Sequence, residues 1–491
     1  MHAHLRSTTA VVAITLVATS LAFAAGFQGA VNYTVNPYPT GIMQGDFNRD
    51  GNLDLAVAVC GDADCVATGS VQVLFGHGDG TFTPGGTYVA GPDGTTVDTM
   101  AAGDFNGDGV PDIVAVNSAI NQYGVVSVLI ADGVGGFLPP VSYAVDGAVP
   151  VWVAVGDFNG DHKLDLAVSV TTTAVVSILL GNGDGTFQPQ ISYPVESGVQ
   201  GITVGDVNGD GKLDIVAANE CGNDPACRAG TVSVLLGNGN GTFQPELSFF
   251  VGLFPLSVGL GDFNHDGRPD IAVALPCGTD QTCVSHGGVG ILLGNGDGTF
   301  QPIVNYPSTG YGTVRLAVGD FNGDHHSDIV AANVQQSDIT VFLANRDGTL
   351  QSGMDYPVSL GPIWMTLADF NGDHAVDLAV ANEYGSDISI LMNTGGTQVG
   401  LSSAPNPSQA GQPVTFTATV AAGLPGYGVP TGTVTFRASG HPIGTAALVN
   451  GTATLTYSGF ASGKYWIRAR YSGDAQFNHN WSPQIRQVVK P

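Results

Sequence analysis

Short apolar stretches recur along most of the chain, separated by turns rich in glycine, asparagine and aspartate. In one representative unit these stretches cover residues 201–207, 213–219, 231–236 and 243–250. Each has the length of a strand and is shorter than an ordinary helix, and Gly-rich turns such as 181–187, with their N-G and D-G dipeptides, predict hairpins between the third and fourth strands. The pattern therefore predicts repeated units of four β-strands.

A polar motif, D-x-N-x-D-x-x-x-D, recurs seven times within this pattern, and every copy is complete at its four positions. The copies begin at Asp46, Asp104, Asp157, Asp206, Asp262, Asp320 and Asp369. Their intervals average about 54 residues, which is within the range of a four-stranded propeller blade. Seven copies of this length predict seven blades.

The two ends of the repeat region are complementary. The last unit stops near 391–396 without a fourth strand, whereas residues 26–35 match the Phe-Gln and Tyr-x-Val positions of the fourth-strand segment 186–195. We expect the amino-terminal strand to complete the last blade. This arrangement would remove the free sheet edges that an open array exposes.

Each acidic motif predicts a calcium-binding loop. Side chains at positions 1, 3 and 5, a backbone carbonyl at position 7 and the aspartate at position 9 would surround the ion, as oxygen ligands do in the first half of an EF-hand loop. Magnesium requires tighter octahedral geometry, and an empty structural turn would leave three carboxylates to repel one another. Up to seven Ca2+ sites are predicted. Their expected ligands are Asp46, Asn48, Asp50, Asp54, Asp104, Asn106, Asp108, Asp112, Asp157, Asn159, Asp161, Asp165, Asp206, Asn208, Asp210, Asp214, Asp262, Asn264, Asp266, Asp270, Asp320, Asn322, Asp324, Asp328, Asp369, Asn371, Asp373 and Asp377.

Position 6 of the motif distinguishes the seven loops. It favours a residue that tolerates positive φ, and it is glycine in four copies but His162, His325 and His374 in the others. Histidine is enriched at positive φ among non-glycine residues. We expect these three sites to be strained or weaker, with histidine ligation of a transition metal as the alternative. Whether all seven sites fill is left open.

Charge and composition narrow the possible functions. The chain has 41 Asp and Glu against 14 Lys and Arg, a net charge of -27, which argues against nucleic acid as a partner because phosphate would be repelled. The seven motifs contain 21 of these acidic residues, so much of the acidity belongs to the predicted calcium loops. With 43% apolar and only 11% charged residues, the chain is not disordered.

The amino-terminal segment, residues 1–24, predicts a secretory signal peptide. Arg6 precedes an apolar run, 10–24, that ends in an A-x-A cleavage pattern. A membrane anchor is the alternative, but the run is shorter than a membrane span. We expect cleavage near Ala24 and a mature chain, without a transmembrane segment, that is secreted or lies at the cell surface or in the periplasm of a bacterium.

Six cysteines fall into three closely spaced pairs. Exported chains meet oxidising conditions, so each pair is expected to form a local disulfide. Zinc is the competing explanation, but zinc sites usually draw on C-x2-C pairs, which the sequence lacks. The predicted pairs are Cys60 with Cys65, Cys221 with Cys227 and Cys277 with Cys283.

The repeat region resembles a known family. Segments such as 155–161 and 213–219 look like FG-GAP repeats, also called VCBS repeats, over about residues 27–396. The resemblance implies a seven-bladed β-propeller like that of integrin α-subunits, with calcium in the loop between the first and second strands of each blade. It implies no single activity, because members include adhesion proteins, lectins and domains attached to enzymes.

The carboxyl-terminal region, where the motif stops, resembles a bacterial Ig-like repeat. Residues 413–420 alternate apolar and polar side chains, as a half-buried sandwich strand does, and segments 430–436 and 469–474 also carry the resemblance. The predicted fold is all-β: a seven-bladed β-propeller at 25–397, closed by the amino-terminal strand, followed by an Ig-like β-sandwich at 398–491.

Three large side chains mark a candidate ligand face. Trp152 and Trp364 lie five residues before the first aspartate of a motif, and Arg315 holds the same place in another repeat. We expect all three at the edge of the face opposite the calcium loops, where the tryptophans either pack between blades or stack on a sugar or protein ligand.

The predicted function is that of an exported, calcium-binding, non-catalytic repeat protein for extracellular binding or adhesion to a protein or surface. No G-x-S-x-G nucleophile motif occurs, and the remaining acidic residues suggest no pair for glycoside chemistry. The alternative is a lectin-like carbohydrate-binding protein or an accessory module of a polysaccharide-degrading system. The sequence does not identify the ligand, the oligomeric state or the mode of surface retention.

Overall fold

The architecture was obtained from a computed structural model. This structure describes residues 26–60, 68–118, 124–224, 227–277, 287–308, 312–393, 397–422, 429–474, 477 and 480–491. All the regular secondary structure in these ranges is β-strand, which confirms the all-β prediction. The described residues up to 393 form one compact unit and those from 397 form another. The predicted signal peptide, 1–24, lies outside the described residues.

The first unit contains seven four-stranded antiparallel sheets within the described ranges, and these are the propeller blades. Blade 1 has β2 (Pro39–Gly45), β3 (Asp54–Val59), β4 (Ser70–Gly76) and β5 (Phe82–Val89). Blade 2 has β6 (Thr96–Gly103), β7 (Asp112–Ser118), β8 (Val125–Leu129) and β9 (Val141–Ala144). Blade 3 has β10 (Pro150–Gly156), β11 (Asp165–Val170), β12 (Val175–Leu179) and β13 (Ile191–Pro194). Blade 4 has β14 (Ser197–Gly205), β15 (Asp214–Gly222), β16 (Gly230–Leu235) and β17 (Leu247–Gly252).

The remaining blades have the same strand order. Blade 5 has β18 (Ser257–Gly261), β19 (Asp270–Leu275), β20 (Gly288–Leu292) and β21 (Val304–Pro307). Blade 6 has β22 (Thr313–Gly319), β23 (Asp328–Asn333), β24 (Asp338–Phe342) and β25 (Met354–Pro357). Blade 7 has β26 (Pro362–Ala368), β27 (Asp377–Asn382), β28 (Asp387–Leu391) and, as its fourth strand, β1 (Val31–Thr34).

The amino-terminal strand closes the ring. β1 pairs antiparallel with β28, with Val31 opposite Ile390, and an isolated bridge joins Phe27 to Asn393. The first strand of each blade also contacts the first strands of both neighbouring blades, so that β2 touches β6 on one side and β26 on the other. The predicted closure by the amino-terminal segment is therefore confirmed.

Side-chain size explains how neighbouring blades pack. All six residues of β3 are buried. Its large residues, Leu55 and Val57, face the alanines Ala379 and Ala381 of blade 7. Its own alanines, Ala56 and Ala58, face blade 2. Large side chains on one sheet fill the space left by small ones on the next, which gives the close packing that stabilises the ring.

An aromatic pair and a backbone hydrogen bond also join neighbouring blades. The ring of Phe47, which follows the first strand of blade 1, lies 5.5 Å from that of Phe137 in blade 2 in an edge-to-face arrangement. The N–H of Gly135, in the same turn as Phe137, donates to the carbonyl of Phe47 at 3.1 Å. The pairs Phe105–Phe187 and Phe158–Phe243 repeat this contact. The Gly-rich turn between the third and fourth strands thus fixes each blade to the preceding one.

The second unit consists of two packed sheets. One sheet holds β29 (Thr397–Ala404), β31 (Val414–Ala422) and β34 (Thr452–Tyr457). The other holds β30 (Ser408–Gln409), β32 (Thr433–Ala438), β33 (His441–Ala447), β35 (Gly463–Tyr471), β36 (Asn480–Trp481) and β37 (Ile485–Lys490). Alternate residues of β31 are buried, and Phe416 contacts Phe436 of the facing sheet, as expected for a sandwich. Over the described parts of the chain, no helix is long and apolar enough to cross a bilayer.

Candidate metal-binding loops and axial cluster

The seven acidic loops occupy the same place in every blade. Each joins the first strand to the second, and the aspartate at position 9 is the first residue of the second strand, as Asp54 is in β3. Because all blades share one strand order, all seven loops lie on the same face of the ring. Loops between second and third strands lie on the opposite face.

Hydrogen bonds within each loop fix the side chains at positions 1, 3 and 5. In blade 2, the carboxylate of Asp104 accepts from the N–H groups of Asp108 at 3.1 Å and Gly109 at 2.8 Å. The amide oxygen of Asn106 accepts from the N–H of Asp108 at 2.9 Å, and Oδ1 of Asp108 accepts from Val110 N–H at 2.8 Å. The other six loops repeat these bonds. The loop geometry is therefore set by the motif itself.

Position 6 has positive φ in all seven loops, as its composition predicts. Glycine has φ near 80°, for example 83° at Gly109, and the three histidines have 64° at His162, 66° at His325 and 70° at His374. Their Nδ1 atoms lie 3.7 to 3.9 Å from the carboxylate at position 1 of the same loop. The imidazoles are almost fully exposed, up to 97% at His162. They occupy the strained backbone position and point into solvent.

The aspartate at position 9 lies inside the blade. Asp54 is fully buried, and its two carboxylate oxygens accept from the N–H groups of Phe47 at 3.1 Å and Gly76 at 3.0 Å. Burial raises the pKa of Asp54 to about 6 against the opposing effect of these two bonds. The strongest cases are Asp328, with a pKa of about 8, and Asp377, at about 7, again through burial. The ninth residue thus joins the loop to the end of the third strand, a role that its spacing did not reveal.

The donor chemistry of the loops suits calcium at positions 1, 3 and 5. Each loop presents two carboxylates and an amide oxygen, and hard oxygen donors are what Ca2+ prefers. In the conformation described, the ninth carboxylate is occupied by backbone N–H groups, and the amide nitrogen of Asn48 donates to Asp50 at 3.2 Å. Among the described residues, no group of three or more His, Cys, Asp or Glu side chains is arranged to hold a metal ion. Calcium therefore remains a proposal based on donor type.

Three large side chains meet at the middle of the ring. The ring centroids of Trp152 and Trp364 are 4.4 Å apart, and the guanidinium carbon of Arg315 lies 4.9 Å from each centroid. They belong to blades 3, 7 and 6. The same position in the other blades has the smaller residues Gly41, Thr99, Gly201 and Ser257. Three large side chains thus fill the space that four small ones leave.

A β-bulge places these side chains. The pairing of the first two strands shifts register between Pro150 and Trp152, and again between Thr313 and Arg315, and a bulge redirects the side chain that follows it. Arg315 donates to the carbonyl of Val314 at 3.1 Å, while its Nε is buried without a hydrogen-bond partner. Burial lowers the pKa of the guanidinium to about 10. The sequence predicted a shared position for the three residues but not their mutual contact.

One predicted disulfide lies entirely within the described residues. Cys221 and Cys227 are bonded at the end of β15, on the face opposite the acidic loops. Cys60 and Cys277 are also disulfide-bonded. Their predicted partners, Cys65 and Cys283, lie outside the described residues.

Comparisons with known proteins agree with both units. The FG-GAP-like repeat family matches residues 46–115, 168–217, 222–273, 279–331 and 320–380, which together make up more than half of the chain. The bacterial Ig-like domain (group 3) family matches residues 401–490. No curated protein matches the chain. Among solved structures, the chain is similar to the periplasmic gluconolactonase PpgL of Pseudomonas aeruginosa, with 16% sequence identity, a TM-score of 0.47 and coverage of 66% of this chain and 86% of that one. A similarity at this level says nothing of this chain's activity.

Proposed function

The chain belongs to the FG-GAP-like repeat family and carries a bacterial Ig-like domain, and on that premise we propose that it is an exported, calcium-binding and non-catalytic protein. It acts in extracellular binding or adhesion to a protein or surface. The observation that carries the calcium part is the repetition of one hydrogen-bonded loop with the same oxygen donors seven times on one face of the ring.

The pre-formed loop backbone favours ion binding. N–H groups at positions 5, 6 and 7 already hold the carboxylates at positions 1 and 5 in place, as in Asp104 and Asp108. An ion would therefore meet side chains whose freedom has largely been lost on folding, which improves affinity. The ion would also offset the repulsion between the two carboxylates. Coordination by the ninth aspartate would require its buried carboxylate to share an oxygen with the ion.

Calorimetric titration of the full chain after dialysis against EDTA tests the calcium part. We expect several Ca2+ ions per chain, up to seven, and a higher melting temperature with calcium. At about tenfold above the dissociation constant, each site adds roughly 1.4 kcal/mol to the free energy of unfolding. A protein that binds no calcium and melts at the same temperature in EDTA would refute this proposal.

A matched pair of variants separates the loops from general acidity. Asp108→Ala removes a carboxylate at position 5 of one motif, and Asp79→Ala removes an exposed one that accepts from Thr81 in a hairpin turn. Both lower the negative charge equally. Only Asp108→Ala is expected to reduce the number of bound Ca2+ ions by one.

Export and partner class need separate measurements. Amino-terminal sequencing of the protein recovered outside the cytoplasm is expected to begin near residue 25, and an uncleaved chain that stays inside the cell contradicts export. Binding of the purified chain to surface proteins and to a glycan array, each with and without calcium, then separates protein adhesion from the lectin-like alternative.

A further inference from the structure

The outward face of β35 carries a row of cationic and aromatic side chains. Alternate residues of this strand point outward, and four of them in succession are Lys464, Trp466, Arg468 and Arg470, all exposed. The residues between them, such as Ile467 and Ala469, are buried against the facing sheet. The alternation of a sandwich strand thus collects three positive charges and an indole on one surface.

Neighbouring strands extend this surface. Arg437 of β32 lies directly opposite Arg468, and Arg486 of β37 lies opposite Trp466. Trp481 of β36 lies opposite Arg470. Directly opposed residues of antiparallel strands share one face. We call this surface, made of the four arginines, Lys464 and the two tryptophans, the basic sheet face.

A groove runs across the basic sheet face. It has a volume of about 240 Å³ and is lined by Arg437, Gly440, Trp466, Arg468, Trp481 and Gln484. The indole of Trp466 is half-exposed. The guanidinium carbons of Arg468 and Arg470 lie 5.0 and 5.7 Å from the ring centroid of Trp481. Aromatic surface and guanidinium groups are therefore accessible side by side.

The unit that carries this face has few acidic residues of its own. From residue 397 onward the chain has six Lys and Arg and one acidic residue, Asp474, whereas the residues before 397 have eight basic and 40 acidic ones. Asp474 accepts from Thr431 and from the N–H of Phe477. Within the described part of the chain, Arg437 donates to the backbone carbonyl of Gly440 and Arg468 donates to that of Ser482. Like charges directly opposite each other destabilise a sheet, so the pair Arg437 and Arg468 lowers stability unless an anion neutralises it.

We propose that the basic sheet face binds an acidic polysaccharide. Guanidinium groups bind planar carboxylates and sulfates with paired hydrogen bonds, and an exposed indole offers an apolar face on which the C–H side of a sugar ring can stack. An extended polymer suits a row of outward residues that repeat about 6.6 Å apart along one strand. The inference does not depend on calcium binding.

Affinity electrophoresis of the full chain tests the proposal. Polygalacturonate supplies carboxylates, dextran sulfate supplies sulfates and neutral dextran serves as the control polymer. We expect retention by one or both acidic polymers and none by dextran, with affinity that falls as salt rises. The acidic polymer that retains the chain more strongly identifies the anionic group that the basic sheet face prefers. Equal retention by neutral dextran, or no retention by either acidic polymer, overturns the proposal.

Variants locate the site. The double variant Arg437→Ala, Arg468→Ala is expected to weaken binding more than tenfold, and Trp466→Ala about fivefold or more. Arg346→Ala removes an exposed charge from the propeller and is expected to change binding less than twofold. An equal loss in Arg346→Ala would show non-specific attraction and contradict the site. Tighter binding of single-stranded DNA than of either polysaccharide, abolished by the same double variant, would also overturn the proposal, because it would identify the face as a nucleic-acid surface.

Discussion

The indole rings of Trp152 and Trp364 lie with their centroids 4.4 Å apart, although the two residues belong to the third and seventh blades. These blades are not neighbours in the ring, so the contact crosses its middle. Arg315 lies beside both rings. The centre of the propeller is therefore filled by side chains from three separate blades, which depend on one another for their positions.

A double-mutant cycle measures this dependence. Trp152→Ala and Trp364→Ala each remove a partly buried indole, and we expect each to lower the free energy of unfolding by about 2 kcal/mol, below the range for fully buried tryptophan. Because the rings contact each other, the double variant should lose about 1 kcal/mol less than the sum. Denaturant unfolding of the four proteins provides the values. Strict additivity would contradict direct packing.

Gly201 holds in blade 4 the position that Trp152 holds in blade 3. We expect this position to tolerate no side chain in blade 4. A Cβ there would lie 2.8 Å from the carbonyl oxygen of Leu256 and 3.1 Å from the ring of Trp152. We expect Gly201→Ala to destabilise the propeller by about 1 to 3 kcal/mol through overpacking. Gly29→Ala is the matched control, since a Cβ there meets nothing within 4 Å. Thermal melting compares the two, and equal melting temperatures would argue against a tightly filled centre.

The amino-terminal segment that closes the ring should contribute mainly through Phe27, just before β1. Phe27 is 1% exposed, and its ring lies 5.7 Å from that of Phe321 and 5.4 Å from that of Tyr356. Phe27→Ala is expected to destabilise the propeller by about 3 to 5 kcal/mol. Val31→Ala, four residues further along in β1 and 56% exposed, should change stability by less than about 0.5 kcal/mol. Urea unfolding measures both, and a small effect of Phe27→Ala would show that ring closure adds little stability.

The backbone conformation at position 6 predicts that substitution by alanine destabilises a loop with glycine there but hardly affects a loop with histidine. Gly109 has φ of 83° and open space around a would-be Cβ, so Gly109→Ala should cost about 1 to 2 kcal/mol through backbone strain alone. His162 already carries a Cβ at φ of 64° and its ring is exposed. His162→Ala should therefore have little effect on the melting temperature in EDTA. The same loss in both variants would refute the conformational explanation.

Asp98 predicts a pH-dependent difference in stability. Partial burial in β6 raises its pKa to about 6, although bonds such as that from the Thr96 hydroxyl at 3.3 Å oppose the shift. The folded protein then binds more protons than the unfolded one between about pH 4 and 6, so the free energy of unfolding falls as pH rises through that window. Asp98→Asn should lose only the part of this fall that comes from Asp98, because the buried aspartates at position 9, such as Asp54, keep their raised pKa.

Comparison of unfolding at pH 4.5 and 7 tests this point. Relative to the wild type, Asp98→Asn is expected to gain up to about 2 kcal/mol at the higher pH. The exposed Asp93→Asn serves as the control and should show no such gain. A constant difference between the wild type and Asp98→Asn at the two pH values would contradict the prediction.

The propeller was predictable from the sequence because its signals are local and repeated. The motif marks the turn after each first strand, and the alternation of residues such as Leu55 and Ala56 marks a sheet covered on both sides. The match of residues 26–35 to a fourth strand likewise depended only on repeat alignment. Each of these features is set by neighbouring residues along the chain.

The sites were less predictable because their contacts are long-range. Spacing predicted Asp54 as a calcium ligand but could not predict the hydrogen bond that its carboxylate accepts from Gly76, at the end of another strand. The cluster of Trp152, Arg315 and Trp364 joins side chains from three blades that are far apart in the sequence. The basic sheet face was not predicted, because the net charge of -27 is a sum over the whole chain and does not show a local excess of arginine.

The pairing of β1 with β28 has a consequence for how the protein is made. Residues 31–34 are synthesised before any other strand of the propeller, yet their partners at 387–390 emerge only after the first six blades. Pairing over such a separation is slow, and until it occurs β28 exposes an unpaired strand edge to other chains. A prematurely terminated chain therefore leaves β1 without its partner strand, and the incomplete protein is prone to aggregation or proteolysis.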